Sequence, residues 1–242
     1  NNSETPPFMI NDHNVSEDLK LQYRYIDLRS RKLQNNLKFR SDLLKVIRDY
    51  FHENEFIDVE TPILTKTTPE GARDYLVPSR LKKESFFALP QSPQIFKQTL
   101  MIGGIEKYYQ IARCFRDEDL RSDRQPEFTQ LDVELAFATE EKIIDLTEKL
   151  FHKIFKDIFS VNNVVFNKMT YEDAMDNYGC DKPDLRNPLK MISIKEDIKD
   201  TKFKVFSDPA NTQDGKVVAL RVPDGNKLSR KDIDVLTEML KE

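Results

Sequence analysis

The sequence predicts an α+β fold in which an antiparallel β-sheet is flanked by helices. Two segments with strand-like alternation of apolar and polar residues are joined by one polar loop, which is typical of an antiparallel strand pair. Two long segments carry apolar residues at helical spacing, which indicates amphipathic helices. The 16 Phe and 8 Tyr residues supply enough bulky apolar groups for a hydrophobic core.

The composition indicates a protein with a highly charged surface. The 242 residues suggest one large domain, or one domain and part of another. The 38 Lys and Arg residues against 42 Asp and Glu give a net charge of −4, which argues against a nonspecific nucleic-acid coat but leaves a local footprint open. Neither a membrane-spanning apolar run nor a signal peptide is predicted.

The cysteines and histidines argue against a metal centre. Cys114 and Cys180 lack the spacing of a zinc or redox motif, and His13, His52 and His152 are scattered along the chain. We therefore expect no metal ligands and no disulfide framework in a soluble, cytoplasmic protein with reduced thiols.

The first part of the chain predicts a lead-in, a helix and a strand. Residues 1–19 are polar and show no periodicity, as expected of a linker. Residues 31–55 show helical spacing, and Asn54 is a candidate stop. Residues 56–59 follow as a short strand, which Pro62 ends because it cannot donate to a sheet ladder.

A second strand is predicted at residues 85–89, followed by a short helix. Ser92 is the expected N-cap of that helix, with Pro93 at its first position. Gly103 is the expected stop.

The central hairpin predicts one polar and one apolar face. Its strands are residues 107–115 and 128–137, joined by the polar loop 116–127. Alternation groups Gln110, Ala112, Cys114 and Arg116 on one face of the first strand and Gln130, Asp132 and Glu134 on one face of the second. We call the amides and carboxylates of this row, Gln110, Gln130, Asp132 and Glu134, the polar floor. It is interpreted as a binding surface, with an ordinary half-solvated sheet as the alternative.

The last part of the chain predicts helices around a boundary. Residues 139–159 form a long amphipathic helix, and Thr170 opens a short helix as a capping residue. Residues 182–188 contain two prolines and form the candidate boundary. Residues 216–222 then predict a strand, and Ser229 caps a helix that runs to the end of the chain.

The loop of the hairpin carries the strongest chemical signal. Arg116 offers a planar fork for a phosphate, and Glu118 offers a carboxylate for a metal ion or an amine. Arg121 and Arg124 could reach further phosphates. Charged loops also serve solubility alone, so the residues by themselves leave phosphate binding open.

Residues 115–118 (FRDE) and 124–132 (RQPEFTQLD) closely resemble motif 2 of the class II aminoacyl-tRNA synthetases. Residues 56–62 (FIDVETP) look like motif 1, whose proline lies at the dimer interface of that family. The resemblance implies a class II synthetase-type antiparallel sheet flanked by helices, present in part, and a homodimer.

Three further segments resemble the aspartate-specific branch of that family in its bacterial form. They read TPEGARDY at residues 68–75, LPQSPQIFK at 89–97 and YGCDKPDLR at 178–186. A lysine- or asparagine-specific relative would share motifs 1 and 2 but not this wording around Glu70 and residues 94–97.

The resemblance implies a domain plan in which the chain is a central fragment. It consists of a linker at 1–19, the N-terminal part of the catalytic core at 20–188 and the beginning of an inserted α+β domain at 189–242. An anticodon-binding barrel is not recognised before Leu21. The Gly-rich motif 3 is not recognised either, since the chain has six Gly and no GxG. The fragment alone is therefore expected to be inactive.

In the implied reaction, the α-carboxylate of L-aspartate attacks the α-phosphate of ATP, with Mg²⁺, and gives aspartyl-adenylate and pyrophosphate. The aspartyl group is then transferred to the 3′ end of tRNA(Asp). Whether tRNA(Asn) is also a substrate stays open. Arg116 is the implied catalytic residue, bridging the aspartate carboxylate and the α-phosphate. The implied aspartate-binding residues are Glu70, Gln94, Ile95, Phe96, Lys97, Arg116 and Asp132, with Ser92 as a supporting hydroxyl. The implied ATP-binding residues are Arg116, Asp117, Glu118, Gln125 and Phe128, and the implied tRNA contacts are Arg121 and Arg124.

Simpler interpretations stay open beside these. Without the family, Lys97 would be a solvated surface lysine and Glu70 a turn residue, while Ile95 and Phe96 fit packing roles even within the site segment. Other function classes are a paralogue that binds tRNA or adenylate without catalysis, and a dimerisation module built on motif 1.

Overall fold

Amphipathic helices and an antiparallel hairpin organise the backbone, as the hydrophobic patterns predict. In this computed structural model the described residues are 4–10, 12, 14–119, 121 and 124–239. His13 and the last three positions of the predicted C-terminal helix lie outside them. The chain divides into two units, Asn1–Val165 and Phe166–Glu242.

The first unit contains the central sheet and the long helices. Its helices are α1 (Glu17–Gln22), α2 (Arg24–Asp27), α3 (Arg31–Glu53), α4 (Gln94–Ile102) and α5 (Glu140–Phe159). Its strands are β1 (Ile57–Asp58), β2 (Leu76–Pro78), β3 (Phe86–Ala88), β4 (Lys107–Phe115) and β5 (Glu127–Leu135).

The central sheet has the strand order β1, β4, β5. β4 and β5 are antiparallel along their whole length, with Gln110 opposite Asp132 and Ala112 opposite Gln130. β1 pairs with β4 in parallel. The predicted antiparallel pair is thus confirmed, and because opposed residues share a face, the register brings the polar floor together on one side of the sheet.

The opposite face of the sheet packs against α3 and α5. Phe51 of α3 stacks on Tyr109 of β4, with ring centroids 4.8 Å apart. The hydroxyl of Tyr50 donates to the carbonyl of Leu146 at 2.7 Å and so ties α3 to α5. The buried cluster comprises Ile47, Tyr50, Phe51, Phe56, Tyr109 and Leu150. Burial of these large side chains fixes which side of the hairpin faces the core and which side carries the polar floor.

The ends of the long helices follow the sequence signals. The hydroxyl of Thr139 accepts a hydrogen bond from the backbone N–H of Lys142 at 3.4 Å and caps α5. Asn54 follows the last residue of α3, and Gly103 follows the last residue of α4, as predicted.

Two details of this unit differ from the prediction. α4 begins at Gln94 with Pro93 as N-cap, and the Ser92 side chain does not cap it. The Ser92 hydroxyl is engaged elsewhere, as described below. β5 ends at Leu135, so Phe137 lies beyond the strand; it is 90% exposed and has a φ of 53°. A left-handed residue cannot continue a strand, which explains the earlier end.

A second, two-stranded sheet was predicted only in part. β2 and β3 are antiparallel, with Leu76 opposite Ala88. β3 lies within the strand predicted at residues 85–89, whereas β2 was not predicted. The short helices α1 and α2 were not predicted either.

The second unit consists of short elements. Its helices are α6 (Tyr171–Tyr178), α7 (Lys195–Ile198), α8 (Lys204–Ala210) and α9 (Arg230–Met239), with a 3₁₀ turn at Gly225–Lys227. Its strands β6 (Met191–Ser193) and β7 (Val218–Leu220) pair antiparallel. The hydroxyls of Thr170 and Ser229 accept from backbone N–H groups three residues on, at 3.0 and 3.2 Å, which confirms both predicted caps.

The division into units falls between Val165 and Phe166. The domain limits predicted at residues 19/20 and 188/189 stay predictions, and Phe8, within the predicted linker, is buried. None of the described helices is long and apolar enough to cross a membrane.

Candidate active site

The polar floor contains a buried hydrogen-bond network around Gln110. Gln110 and Asp132 lie opposite each other and are 8% and 4% exposed. The Tyr108 hydroxyl and the Thr61 hydroxyl both donate to Oε1 of Gln110, at 2.8 and 2.9 Å. Buried amides and carboxylates on one face of a sheet are costly unless they are paired, so the face has the character of a built site.

Lys97 of α4 contacts two carboxylates of the polar floor. Its Nζ lies 2.9 Å from Oδ1 of Asp132 and 3.3 Å from Oε2 of Glu134. The Lys97 side chain is only 12% exposed, so it is not a solvated surface lysine. An ammonium group has three N–H donors, and these two contacts leave one for a further acceptor.

The charge of Lys97 is stabilised by its partners. Burial by itself lowers the pKa of Lys97, but hydrogen bonds and charges from Asp132 and Glu134 outweigh it and raise the pKa above its ordinary value. Lys97 is therefore a permanent cation near neutral pH.

Two buried polar atoms stand out at this site. Within the described part of the chain, neither Oδ2 of Asp132 nor Nε of Arg116 has a hydrogen-bond partner. The first is an acceptor and the second is a donor. Buried polar atoms are rarely left unpaired, so this pair fits a ligand that carries both a donor and an acceptor.

Glu70 lies in a turn that is fastened to the start of α4. The Ser92 hydroxyl donates to its Oε2 at 2.8 Å, and the Thr68 hydroxyl lies 3.4 Å from its Oε1. The next residue, Gly71, has a φ of 93°, which L-residues rarely adopt. Glu70 is thus a turn residue, as the simpler interpretation has it, and its carboxylate is also oriented by two hydroxyls.

Cys114 is a buried thiol beside the polar floor. Its thiol is fully buried and lies 3.2 Å from Oε1 of Gln130. Burial and the charge of Asp132 raise the pKa of Cys114 to about 11, and the charges of Arg116, Glu70 and Lys97 also act on it. These four charged side chains therefore all act on the buried thiol, and their predicted part in aspartate binding stays a prediction.

We expect Cys114 to resist alkylation in the folded protein. The thiolate is the reactive form, and a pKa of about 11 leaves the Cys114 thiol protonated at pH 8. The side chain is also fully buried, so an alkylating reagent does not reach it. Iodoacetamide at pH 8, read by mass spectrometry, should label the exposed Cys180 at least about tenfold faster. Unfolding in guanidinium chloride should remove the difference, and equal rates in the native protein would contradict the burial of Cys114.

The remaining predicted aspartate residues, Gln94, Ile95 and Phe96, lie on different sides of α4. Gln94 and Lys97 are three positions apart and share a side of the helix. Ile95 and Phe96 line an apolar groove with Phe86 and Phe87. Their packing interpretation fits this placement, and their predicted part in aspartate binding stays a prediction.

Four of the predicted ATP residues line one cleft at the loop end of the hairpin. The cleft has a volume of about 530 Å³. Its lining includes the predicted residues Arg116, Glu118, Gln125 and Phe128, together with Asp119, Arg124 and Pro126. The guanidinium carbon of Arg116 lies 5.0 Å from the centroid of the Phe128 ring, which holds the cation over an aromatic face.

Asp117 and Arg121 line a second, smaller cleft of about 390 Å³ that also includes Arg124. The backbone N–H of Asp117 donates to the carbonyl of Arg73 at 3.0 Å, which fixes the loop against the Glu70 turn. Arg124 lies 3.3 Å from Glu118, so the two predicted tRNA residues are placed beside the predicted ATP cleft.

The described residues contain no group of three or more His, Cys, Asp or Glu that could hold a metal ion. A Mg²⁺ ion that is bound chiefly by substrate phosphates needs only one or two protein carboxylates. Glu118 and Asp119 at the cleft supply that number, so the residues fit an ion that arrives with ATP.

Some residues of the site were not predicted. Glu134 was placed on the polar floor by strand alternation, but nothing in the pattern indicated that it pairs with Lys97. Gln91 and Tyr108 carry no local signal at all, because their role depends on segments that are distant in the sequence.

Comparison with known proteins identifies the family that most of this chain matches. The family described as "tRNA synthetases class II (D, K and N)" matches residues 16–220. Two proteins named aspartate–tRNA(Asp/Asn) ligase, from the Corby and Paris strains of Legionella pneumophila, are each 57% identical to this chain over 236 residues. These matches cover 97% of the chain but only 40% of each relative, so the chain spans well under half of their length.

A solved structure matches part of the chain. It is asparaginyl-tRNA synthetase from Pyrococcus horikoshii in complex with asparaginyl-adenylate, with a TM-score of 0.56 and 26% identity. The match covers 64% of this chain and 36% of that one.

Proposed function

We propose that this chain, which belongs to the class II tRNA synthetases (D, K and N), builds the aspartate and ATP subsites of an aspartate–tRNA ligase. The ligase activates L-aspartate with ATP to aspartyl-adenylate and transfers the aspartyl group to tRNA. The relatives are named for both tRNA(Asp) and tRNA(Asn), and we propose both as substrates.

One observation carries the proposal. Among the described residues, the hairpin contains a buried acceptor without a hydrogen-bond partner, Oδ2 of Asp132, and a buried donor without one, Nε of Arg116. An α-amino acid offers the complementary groups, an ammonium donor and a carboxylate acceptor. Lys97 adds a cation with a free donor, which selects a side-chain carboxylate over an amide.

The roles of the residues follow from this arrangement. Glu70 and Asp132 bind the substrate ammonium, and Lys97 binds the side-chain carboxylate. Arg116 bridges the α-carboxylate and the α-phosphate of ATP, where negative charge accumulates when the carboxylate attacks phosphorus and pyrophosphate leaves. Glu118, Gln125 and Phe128 bind the nucleotide in the adjoining cleft. Glu118 and Asp119 would hold a Mg²⁺ ion that arrives with ATP, and the ion would neutralise phosphate charge.

The test is amino-acid-dependent pyrophosphate exchange. The longest reading frame that contains these 242 residues should exchange pyrophosphate into ATP with aspartate but not with asparagine or lysine. The isolated 242-residue chain should be inactive. Exchange that depends on lysine or asparagine would overturn the proposed substrate.

We further propose a cytoplasmic homodimer formed through residues 56–62. Pro62 and Thr61 line an open polar cleft of about 480 Å³ beside β1. A second copy of this surface is the proposed partner, and sedimentation at micromolar concentration tests it.

Arg121→Gln combined with Arg124→Gln is expected to weaken tRNA binding and reduce its salt dependence. Each lost phosphate contact should reduce the log–log salt slope by about one unit or less. Both residues lie at the cleft that Asp117 lines, outside the polar floor. The aspartate KM of exchange without tRNA should change little, while a rise in the ATP KM would report the contact of Arg124 with Glu118 in the ATP cleft. An unchanged salt slope would assign these arginines to loop solubility.

A further inference from the structure

Gln91 is the most deeply buried amide near the site, with 1% of its surface exposed. Its Oε1 accepts from the backbone N–H of Ala72 at 3.2 Å, and its Nε2 donates to the carbonyl of Ala72 at 2.9 Å. The side chain thus pairs with both backbone groups of one residue, as a neighbouring strand would.

The same amide also fastens the other end of the turn. Nε2 of Gln91 donates to Oδ1 of Asp74, and Oδ2 of Asp74 accepts from the backbone N–H of Thr68 at 3.3 Å. The Asp74 side chain therefore ties the end of the turn that contains Glu70 back to Thr68 at its start. Ser92, the residue after Gln91, donates directly to the Glu70 carboxylate.

We propose that Gln91 is a positioning residue that holds Glu70 in place to receive the ammonium group of the amino-acid substrate. This inference rests on the proposed function. The amide uses both of its N–H donors and its oxygen in the three contacts, so no other side chain of similar size reproduces them. A glutamate would lack the donors and would face the carboxylate of Asp74.

The experiment compares Gln91→Met with wild type in the longest reading frame that contains this sequence. The aspartate KM should rise at least about tenfold while kcat and the ATP KM stay within about threefold, because only ground-state positioning of the amino acid is lost. Inhibition by succinate, which has both carboxylates but no ammonium group, should change less than about threefold. Gln98→Met, the same change at an exposed position of α4, is the matched control.

Three outcomes separate the inference from the proposed function. The double variant Gln91→Met with Glu70→Gln should bind aspartate no worse than Glu70→Gln alone, since both act on one contact. If Glu70→Gln leaves the aspartate KM unchanged, the proposed ammonium subsite is wrong. If Glu70→Gln raises it and Gln91→Met does not, or if succinate weakens in parallel with aspartate, Gln91 is only a structural residue and the inference is overturned.

If Gln91→Met does not fold, Asp74→Asn is a second variant. Asp74 is half-buried and lies at the end of the turn that contains Glu70. Asp74→Asn keeps the size of the side chain but removes one of the two acceptors that join Gln91 to Thr68. It should raise the aspartate KM by about threefold or more with succinate inhibition unchanged. An unchanged aspartate KM would likewise overturn the inference.

Discussion

Lys97→Met, made in the longest reading frame that contains this sequence, is expected to raise the aspartate KM by roughly 30- to 5,000-fold, because a buried substrate carboxylate that loses its counter-charge costs about 2–5 kcal/mol. The ATP KM should stay close to wild type, since Lys97 contacts Asp132 and Glu134 and does not line the Arg116 cleft. Pyrophosphate exchange at varied aspartate and ATP measures both constants.

The same variant should also reduce stability. Lys97 is the hydrogen-bond partner of Asp132, whose side chain is 4% exposed, so its loss leaves a buried carboxylate without a counter-charge. Breaking such a pair typically lowers the free energy of unfolding by about 3–5 kcal/mol. Urea unfolding at pH 7 measures this difference.

Lys107→Met is the matched control for both effects. Lys107 pairs with Glu55 at 2.9 Å, but the two side chains are 34% and 85% exposed. This surface pair is expected to contribute little to the free energy of unfolding, and the aspartate KM should not change. A parallel rise in the ATP KM of Lys97→Met would place Lys97 in the nucleotide subsite, and an unchanged aspartate KM would remove it from the site.

Arg116→Ala is expected to reduce the rate of aspartate-dependent pyrophosphate exchange by roughly 10²–10³. A guanidinium that is aligned with developing negative charge typically contributes about 3–4 kcal/mol to the transition state. Two contacts hold Arg116 in place: its backbone N–H donates to the carbonyl of Pro126 at 2.9 Å, and its guanidinium lies over Phe128. Arg116→Lys should also be poor, because an ammonium group cannot bridge two oxyanions as a fork.

Arg113→Ala is the control on the same strand. Arg113 lies three residues before Arg116, on the other face of β4, and pairs with Glu127 at 2.6 Å with both side chains 53% exposed. Its removal should leave exchange within about threefold of wild type. Exchange within tenfold of wild type for Arg116→Ala would contradict its role as the bridging residue.

The order of the elements and the two faces of the hairpin were determined by local patterns. Alternation along β5 places Leu131 and Val133 against the core and Asp132 on the polar floor, and the pairing of β4 with β5 confirms it. Thr139 and Gly103 mark helix ends through their own backbone and side-chain chemistry. Such signals depend on residues within a few positions of each other, so a single sequence contains them.

The character of the site was decided only by the tertiary structure. Lys97 by itself has the pattern of a surface lysine. Its place in the site depends on its contact with Asp132, which lies 35 residues later in the sequence. Ser92 has the pattern of an N-cap, yet its hydroxyl donates to Glu70, 22 residues upstream. Gln91 has no pattern at all, and its role follows from contact with Ala72. Burial and long-range pairing depend on which segments the core brings together, and one-dimensional spacing does not encode that.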